Sequence, residues 1–297
     1  MESELKKAVN LYEKGQLNSA KKIALYIYSS KPDCFDNLRL LNLIHYQNGD
    51  FIDAIKIINK AIKINPNYAE IYNEKANALN QLKKQEESIE NYDKAIKIDP
   101  NYADAYYNKG TVLHQLNKFE PAIENYDKAI KINPNYAAAY NNKGYALQKI
   151  KKLDESIKNF SNTLKINPNF DFLFGELIHA KKKICDWKTL DQDLILLNSQ
   201  ILKKKKITTP FPTLQLFDSA LIQKISAEIW AKEKCSNIKN KKKIQKIAGN
   251  KKIRVGYYSP DFYNHAMSYL LSGLFESHDK SKFELFGFSF GPEKNDE

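Results

Sequence analysis

The sequence predicts a mostly α-helical solenoid that passes through a helical connector into a short α/β segment. Three observations carry this. Prolines fall at Pro32, Pro66, Pro100, Pro134 and Pro168, each 34 residues after the last, and a fixed period of that length marks stacked helix–turn–helix units. Between the prolines, apolar residues recur at three- and four-residue steps, the mark of amphipathic helices. Near the C-terminal end, "IRVGYYS" (Ile253–Ser259) is a short run of β-branched and aromatic residues that reads as a buried strand.

The first 170 residues divide into five such units. "INPNY" begins at Ile64 and Ile132, "IDPNY" at Ile98 and "INPNF" at Ile166, while "NYDKAIKI" occurs at Asn91 and again at Asn125. In the fourth unit the spacing predicts a first helix from Ala103 to about Leu116, with Tyr106, Gly110 and Leu113 on one face. A second helix, about Glu120 to Ile132, turns Ala122, Tyr126 and Ala129 inward. Gly110 and Gly144, matched by Ala76 one unit earlier, are small where two helices approach closely. The Asn-Pro-Asn step ends each second helix, because proline cannot continue the ladder and restricts the residue before it. Each unit leaves an apolar face open, so several must stack to bury a core. These residues resemble the tetratricopeptide repeat family over 1–170, which implies a curved groove lined by first helices that takes extended peptides.

Residues 171–206 lose the repeated text but keep apolar residues at helical steps, and two helices that cap the stack are expected. Residues 207–250 read as a Pro- and Lys-rich connector: a loop punctuated by Pro210 and Pro212, then an amphipathic helix. Trp187 and Trp230 are expected to anchor this zone to the array. Residues 251–297 read as one βαβ unit: the strand Ile253–Ser259, a Ser-Pro-Asp break, a helix from about His265 to His278 capped by Asn264, and a strand Phe283–Phe290. The spacing of "GFSFG" does not fit a phosphate loop.

Bulk composition excludes several classes. No window approaches the roughly 18 unbroken apolar residues of a membrane span, and "MESELKKAVNLYEKG" lacks the basic-then-apolar order of a secretory signal. A cytoplasmic protein is expected. Cys34, Cys185 and Cys235 are widely spaced with no CxxC pair, so neither a disulfide framework nor a zinc site is indicated. The net charge of +12 is almost all lysine, with arginine only at Arg39 and Arg254. Its runs, Lys203–Lys206 and Lys239–Lys252, carry no interleaved aromatics and read as solvated linkers rather than a nucleic-acid surface. His45 occupies the place of Leu79, Leu113 and Leu147 in other units and is expected to pack partly buried, whereas His114 aligns with Asn80 and Gln148 and points to a helix surface.

"HAKKKICDW" (His179–Trp187), "PFPTLQLFDSALIQKISAEIW" (Pro210–Trp230) and "IRVGYYSPDFYNHAMSYLLSGLFESHDKSKFELFGFSFGP" (Ile253–Pro292), in this order after the repeats, resemble the entry to the catalytic region of glycosyltransferase family 41, the protein O-GlcNAc transferases, in its bacterial form. The resemblance implies a Rossmann-like GT-B domain, transfer of N-acetylglucosamine from a UDP-sugar donor substrate to Ser or Thr hydroxyls, and no cofactor or metal. It implies an active-site role for His265, which matches the histidine of the family's Asp-Phe-x-x-His motif, although Ala266 stands where many relatives have proline. It also implies that amides at the sixth position of the first helices hold peptide backbone. That position is Asn108 and Asn142 in the fourth and fifth units, and Glu74, Leu40 and Lys6 earlier, with Asn73 and Asn77 close by.

A single βαβ unit leaves both strands with open edges, so the chain is expected to be the front portion of a longer enzyme and inactive alone. A non-enzymatic repeat scaffold binding a partner protein is the alternative.

Overall fold

The computed structural model describes residues 2–234, 253–259 and 279–289. The chain forms two compact parts, Met1–Ser236 and Asn237–Glu297.

In the first part ten helices pair into five hairpins: α1 (Glu2–Glu13) with α2 (Leu17–Ser30), α3 (Phe35–Asn48) with α4 (Phe51–Ile64), α5 (Ala69–Gln81) with α6 (Gln85–Ile98), α7 (Ala103–Gln115) with α8 (Phe119–Ile132), and α9 (Ala137–Lys149) with α10 (Leu153–Ile166). The helices expected in the fourth unit fall within a residue of their predicted bounds. Each hairpin turn puts one residue in the left-handed region: Gly15, Gly49, Lys83, Asn117 and Lys151, with φ between 58° and 82°. The next amide donates back across the turn, Lys84 to Leu79 O at 3.0 Å and Lys118 to Leu113 O at 2.9 Å, closing the last helical turn as a Schellman motif does. Two of these positions are glycine, for which φ > 0 carries no steric cost.

The second helices end as expected, and the residue before each proline has a further task. The Oδ1 atoms of Asn65, Asp99, Asn133 and Asn167 accept the backbone N–H two residues on, at 2.9–3.3 Å, folding the Pro step into an Asx turn. Between helices the core repeats one contact. Tyr92, Tyr126 and Phe160, 34 residues apart, are fully buried. Tyr92 packs with Ala76. A Cβ added at Gly110 would lie 2.8 Å from Tyr126 Cε1, and one at Gly144 would lie 2.5 Å from Phe160 Cε1. The small residues therefore admit an aromatic ring from the second helix of the same hairpin.

The stack continues with α11 (Leu173–Lys183) and α12 (Leu190–Leu202), joined at Cys185, whose φ of 58° keeps the 34-residue period of the left-handed turns. Asp186 N–H donates to Lys181 O at 3.0 Å, as in the five repeats before it. The residues after α12 then return over the start of α11: Phe172 N–H donates to Lys206 O at 2.5 Å and Gly175 N–H to Ile207 O at 3.2 Å. A Cβ at Gly175 would sit 1.9 Å from Thr208 Oγ1.

Three expectations are corrected here. Pro210 and Pro212 do not lie in a loop but open a short helix, α13 (Pro210–Leu216), where the first-turn N–H groups that proline lacks have no helical partner anyway. Trp187 is 50% exposed rather than packed into the array, whereas Trp230 on α14 (Ala220–Lys234) meets Phe172 edge-on, ring centroids 4.9 Å apart. His114 is no plain surface residue: its Nε2 is buried, its ring packs edge-on against Phe119, and burial holds its pKa down. His45 is half-buried as expected, with Nδ1 3.4 Å from Asp50.

In the second part, β1 (Ile253–Ser259) and β2 (Phe283–Ser289) pair in parallel, from Ile253 opposite Phe283 to Ser259 opposite Ser289. Parallel neighbours need a crossover between them, as the βαβ reading requires. Asp279 prepares β2 by accepting the Ser281 N–H at 2.9 Å on its side chain. The expected helix with Asn264 and His265 lies outside the described residues, as do Cys235 and the lysine run 239–252.

Candidate peptide groove

The first helices of successive repeats share one face, and hydrogen bonds tie that face together. In the third, fourth and fifth units, position six of the first helix meets position five of the preceding first helix, and in two cases position eight or nine as well. Arg39 and Asn42 on α3 donate to the two carboxylate oxygens of Glu74 on α5, at 3.4 and 2.6 Å. Asn108 on α7 donates through Nδ2 to Asn73 Oδ1 on α5 at 3.0 Å. Asn142 on α9 donates to the Tyr107 hydroxyl at 3.1 Å and lies 3.5 Å from Thr111 Oγ1, both on α7. Asn141 donates to Asn142 Oδ1 at 3.1 Å, and Asn73 donates to the Tyr102 hydroxyl at 3.3 Å.

Three of the four predicted amides, Asn73, Asn108 and Asn142, therefore stand on one ladder. Asn77 is committed elsewhere: its Oδ1 accepts the hydroxyl of the buried Tyr92 at 2.6 Å, satisfying a core phenol. Asn108 is half-buried and, among the described residues, makes no hydrogen bond through its side-chain carbonyl, leaving that acceptor and one N–H open to a ligand.

Burial sets the electrostatics. Glu74 has its pKa pushed up by desolvation, against the pull of Arg39 and Asn42. Burial likewise pushes up the phenols of Tyr102, Tyr107 and Tyr136, and that of Tyr126 to about 12, so all stay neutral donors at physiological pH. The ladder thus holds neutral amides and hydroxyls between charged ends. Sequence reasoning missed Arg39, Asn42, Tyr107 and Thr111; the signal was a separation of 31 to 35 residues rather than 34 alone, one to three positions off the repeat. The same register places Glu176 of α11 at the sixth position of the next first helix, where Thr209 Oγ1 donates to it at 2.5 Å.

Among the described residues no group of His, Cys, Asp and Glu could hold a metal ion, and no helix is long and apolar enough to cross a membrane.

Family comparisons agree with this architecture. Tetratricopeptide repeat models match residues 41–68, 57–90, 103–136 and 137–170, a further TPR repeat model matches 76–117, and glycosyl transferase family 41 matches 184–297. The chain is thus similar to tetratricopeptide repeats over 41–170 and to glycosyl transferase family 41 over 184–297. That segment begins in the turn after α11, so α12 to α14 fall within the family 41 match although they pack on and around α11, which continues the stack. A probable UDP-N-acetylglucosamine–peptide N-acetylglucosaminyltransferase, SEC of Arabidopsis thaliana, is 25% identical over 139 residues, covering 41% of this chain and 14% of the plant protein. Among solved structures, PilF of Pseudomonas aeruginosa covers 76% of this chain and 96% of its own at TM-score 0.60 and 17% identity. A tetratricopeptide repeat protein from Parabacteroides merdae covers 77% and 98% at TM-score 0.57 and 15% identity. MamA covers 54% and 94% at TM-score 0.50 and 27% identity. They share the repeat fold.

Proposed function

We propose that the repeats grip an extended protein or peptide and that this chain serves a protein O-linked N-acetylglucosaminyltransferase, presenting the acceptor to the family 41 segment. The observation that carries the reading is the ladder of Asn73, Asn108 and Asn142 on the first-helix face. A primary amide offers one acceptor and two donors, and Asn108 keeps its acceptor and one N–H open, so it can pair with the N–H and C=O of any peptide group regardless of side chain, in a frame held by Asn73 and Asn142. Such backbone recognition suits an enzyme with many acceptors. The donor is a UDP-sugar bound as substrate, no cofactor is needed, His265 serves the active site, and the setting is the cytoplasm.

Binding to an array of extended Ser/Thr-containing peptides tests the grip. The Asn108→Ala/Asn142→Ala variant should lose about tenfold or more in affinity, since each net hydrogen bond contributes ~1 kcal/mol; unchanged binding would overturn the groove. Transfer is tested with the gene's product isolated from its own cells. Labelling of a bound peptide from UDP-N-acetylglucosamine, lost in His265→Ala, supports the enzyme. Peptide binding without any transfer leaves the repeats as a scaffold.

A further inference from the structure

At the α11 end of this groove, the cavity between α11 and α13 is lined by His179, Lys182, Lys183, Phe211 and Gln215, with a volume of about 370 Å³. His179 is only 6% exposed, yet its buried Nδ1 has no hydrogen-bond partner. Lys182 Nζ donates to the backbone carbonyl of Gln215 at 2.9 Å, which fixes it at the rim with two donors to spare. Phe211 is 60% exposed and meets the His179 ring edge-on at 5.7 Å, giving the cavity an apolar wall.

His179 lies 34 residues after Tyr145, 68 after Thr111 and 102 after Asn77. Thr111 stands beside Asn142 on the ladder, whereas Asn77 and Tyr145 turn to the buried rings of Tyr92 and Phe160, so this position borders both the groove and the interior of its hairpin. Glu176, one turn earlier, has its carboxylate engaged by Thr209.

We propose that this cavity is an acidic-residue subsite, which receives an Asp or Glu side chain of the peptide held in the repeat groove. The two ammonium groups meet the carboxylate, and the aliphatic stem lies on Phe211 beside the His179 ring. Desolvation, together with the charges of Lys183 and Lys182, holds the His179 imidazole neutral before the ligand arrives, so the positive field of the site comes from the lysines. The subsite rests on the groove reading for its peptide, but its chemistry can be probed without one.

The probe is a doubly blocked glutamate, N-acetyl-glutamate methylamide, titrated into the full chain while the His179 ring resonance is followed by NMR, assigned with His179→Gln. A saturable shift is expected with the glutamate probe and none with blocked glutamine. Lys182→Gln/Lys183→Gln should weaken the probe about five- to tenfold. The single Lys183→Gln should retain part of the effect and guards against disturbing the Lys182 bond to α13. Equal shifts from both probes, no shift, or tighter binding of blocked phosphoserine would overturn an acidic-residue subsite. Asn108→Ala/Asn142→Ala should leave the titration unchanged. If groove peptides fail to bind while the glutamate probe still shifts His179, the subsite stands and the groove reading falls.

Discussion

The repeats α5–α10 and the terminal segment α11–α14 solve the same packing problem with different contacts. In the repeats, a first helix is closed by its own second helix: the small residue at 76, 110 or 144 takes the aromatic ring sixteen positions later. In the terminal segment α11 keeps the turn geometry, but the chain beyond α12 returns to cover Gly175 with Thr208 and to accept amides at Lys206 and Ile207. A repeat hands its open face to the next copy. A terminal unit has no copy after it, so a non-repeating loop and two further helices bury that face instead.

The largest test of this contrast is Phe160→Ala. Removing a fully buried aromatic ring from beside Gly144 should cost about 3–5 kcal/mol. Because each repeat contacts only its neighbours, the loss should split unfolding into two steps, α1–α8 separating from α9–α14. A single cooperative transition would break the contrast. Gly144→Ala should destabilise by roughly 1–3 kcal/mol through overpacking, and Phe160→Leu should restore part of it.

Much of the array was legible because one period fixed several things at once. Pro32 to Pro168 set the period, Gly110 and Gly144 marked close helix approach though not the rings they receive, and the second helices ended where Asn-Pro-Asn said. The terminal unit was legible only as two helices. Its backbone keeps the turn at Cys185, but no glycine or asparagine announces a left-handed residue there. Pro210 misled because proline breaks a helix interior and opens a first turn equally well. Trp187 misled because size says nothing about which side a residue faces. At the groove, Asn108 and Asn142 were visible as repeated amides. Of their partners Asn73 was named as well, but Tyr107 and Thr111 were not, since a rung joins one position to a different position of the next helix. The commitment of Asn77 to Tyr92 depends on a rotamer, which no spacing encodes.

A middle-sized test addresses the terminal segment alone. Gly175→Ala must push Thr208 aside and should cost about 1–3 kcal/mol locally. Hydrogen exchange should quicken at the Phe172 and Gly175 amides, which donate to Lys206 and Ile207, while the amides of α5–α8 stay protected. Exchange quickening throughout the repeats would show that the returning loop holds the whole stack rather than its end.

The smallest effect separates two carboxylates at equivalent positions, Glu74 in the array and Glu176 in the terminal unit. Burial raises the pKa of both above the ordinary carboxylate value. A raised folded-state pKa means the ionised form is less welcome in the folded chain than in the unfolded one. The cost is absent below the unfolded value, grows as pH rises from the unfolded to the folded value, and is fully present above the folded value. Glutamine carries no such charge. Glu176→Gln keeps an oxygen to accept from Thr209, so at pH 7 it should raise Tm by about 2 °C, and the gain should shrink as the buffer is acidified toward the unfolded carboxylate value. Glu74→Gln loses the ion pair with Arg39 and turns an amide N–H toward Arg39 or Asn42, both donors. Its gain at pH 7 should therefore be smaller than that of Glu176→Gln, or negative. Equal gains would mean that the Arg39 contact contributes nothing to the array, and that the two ends of the ladder are electrostatically alike.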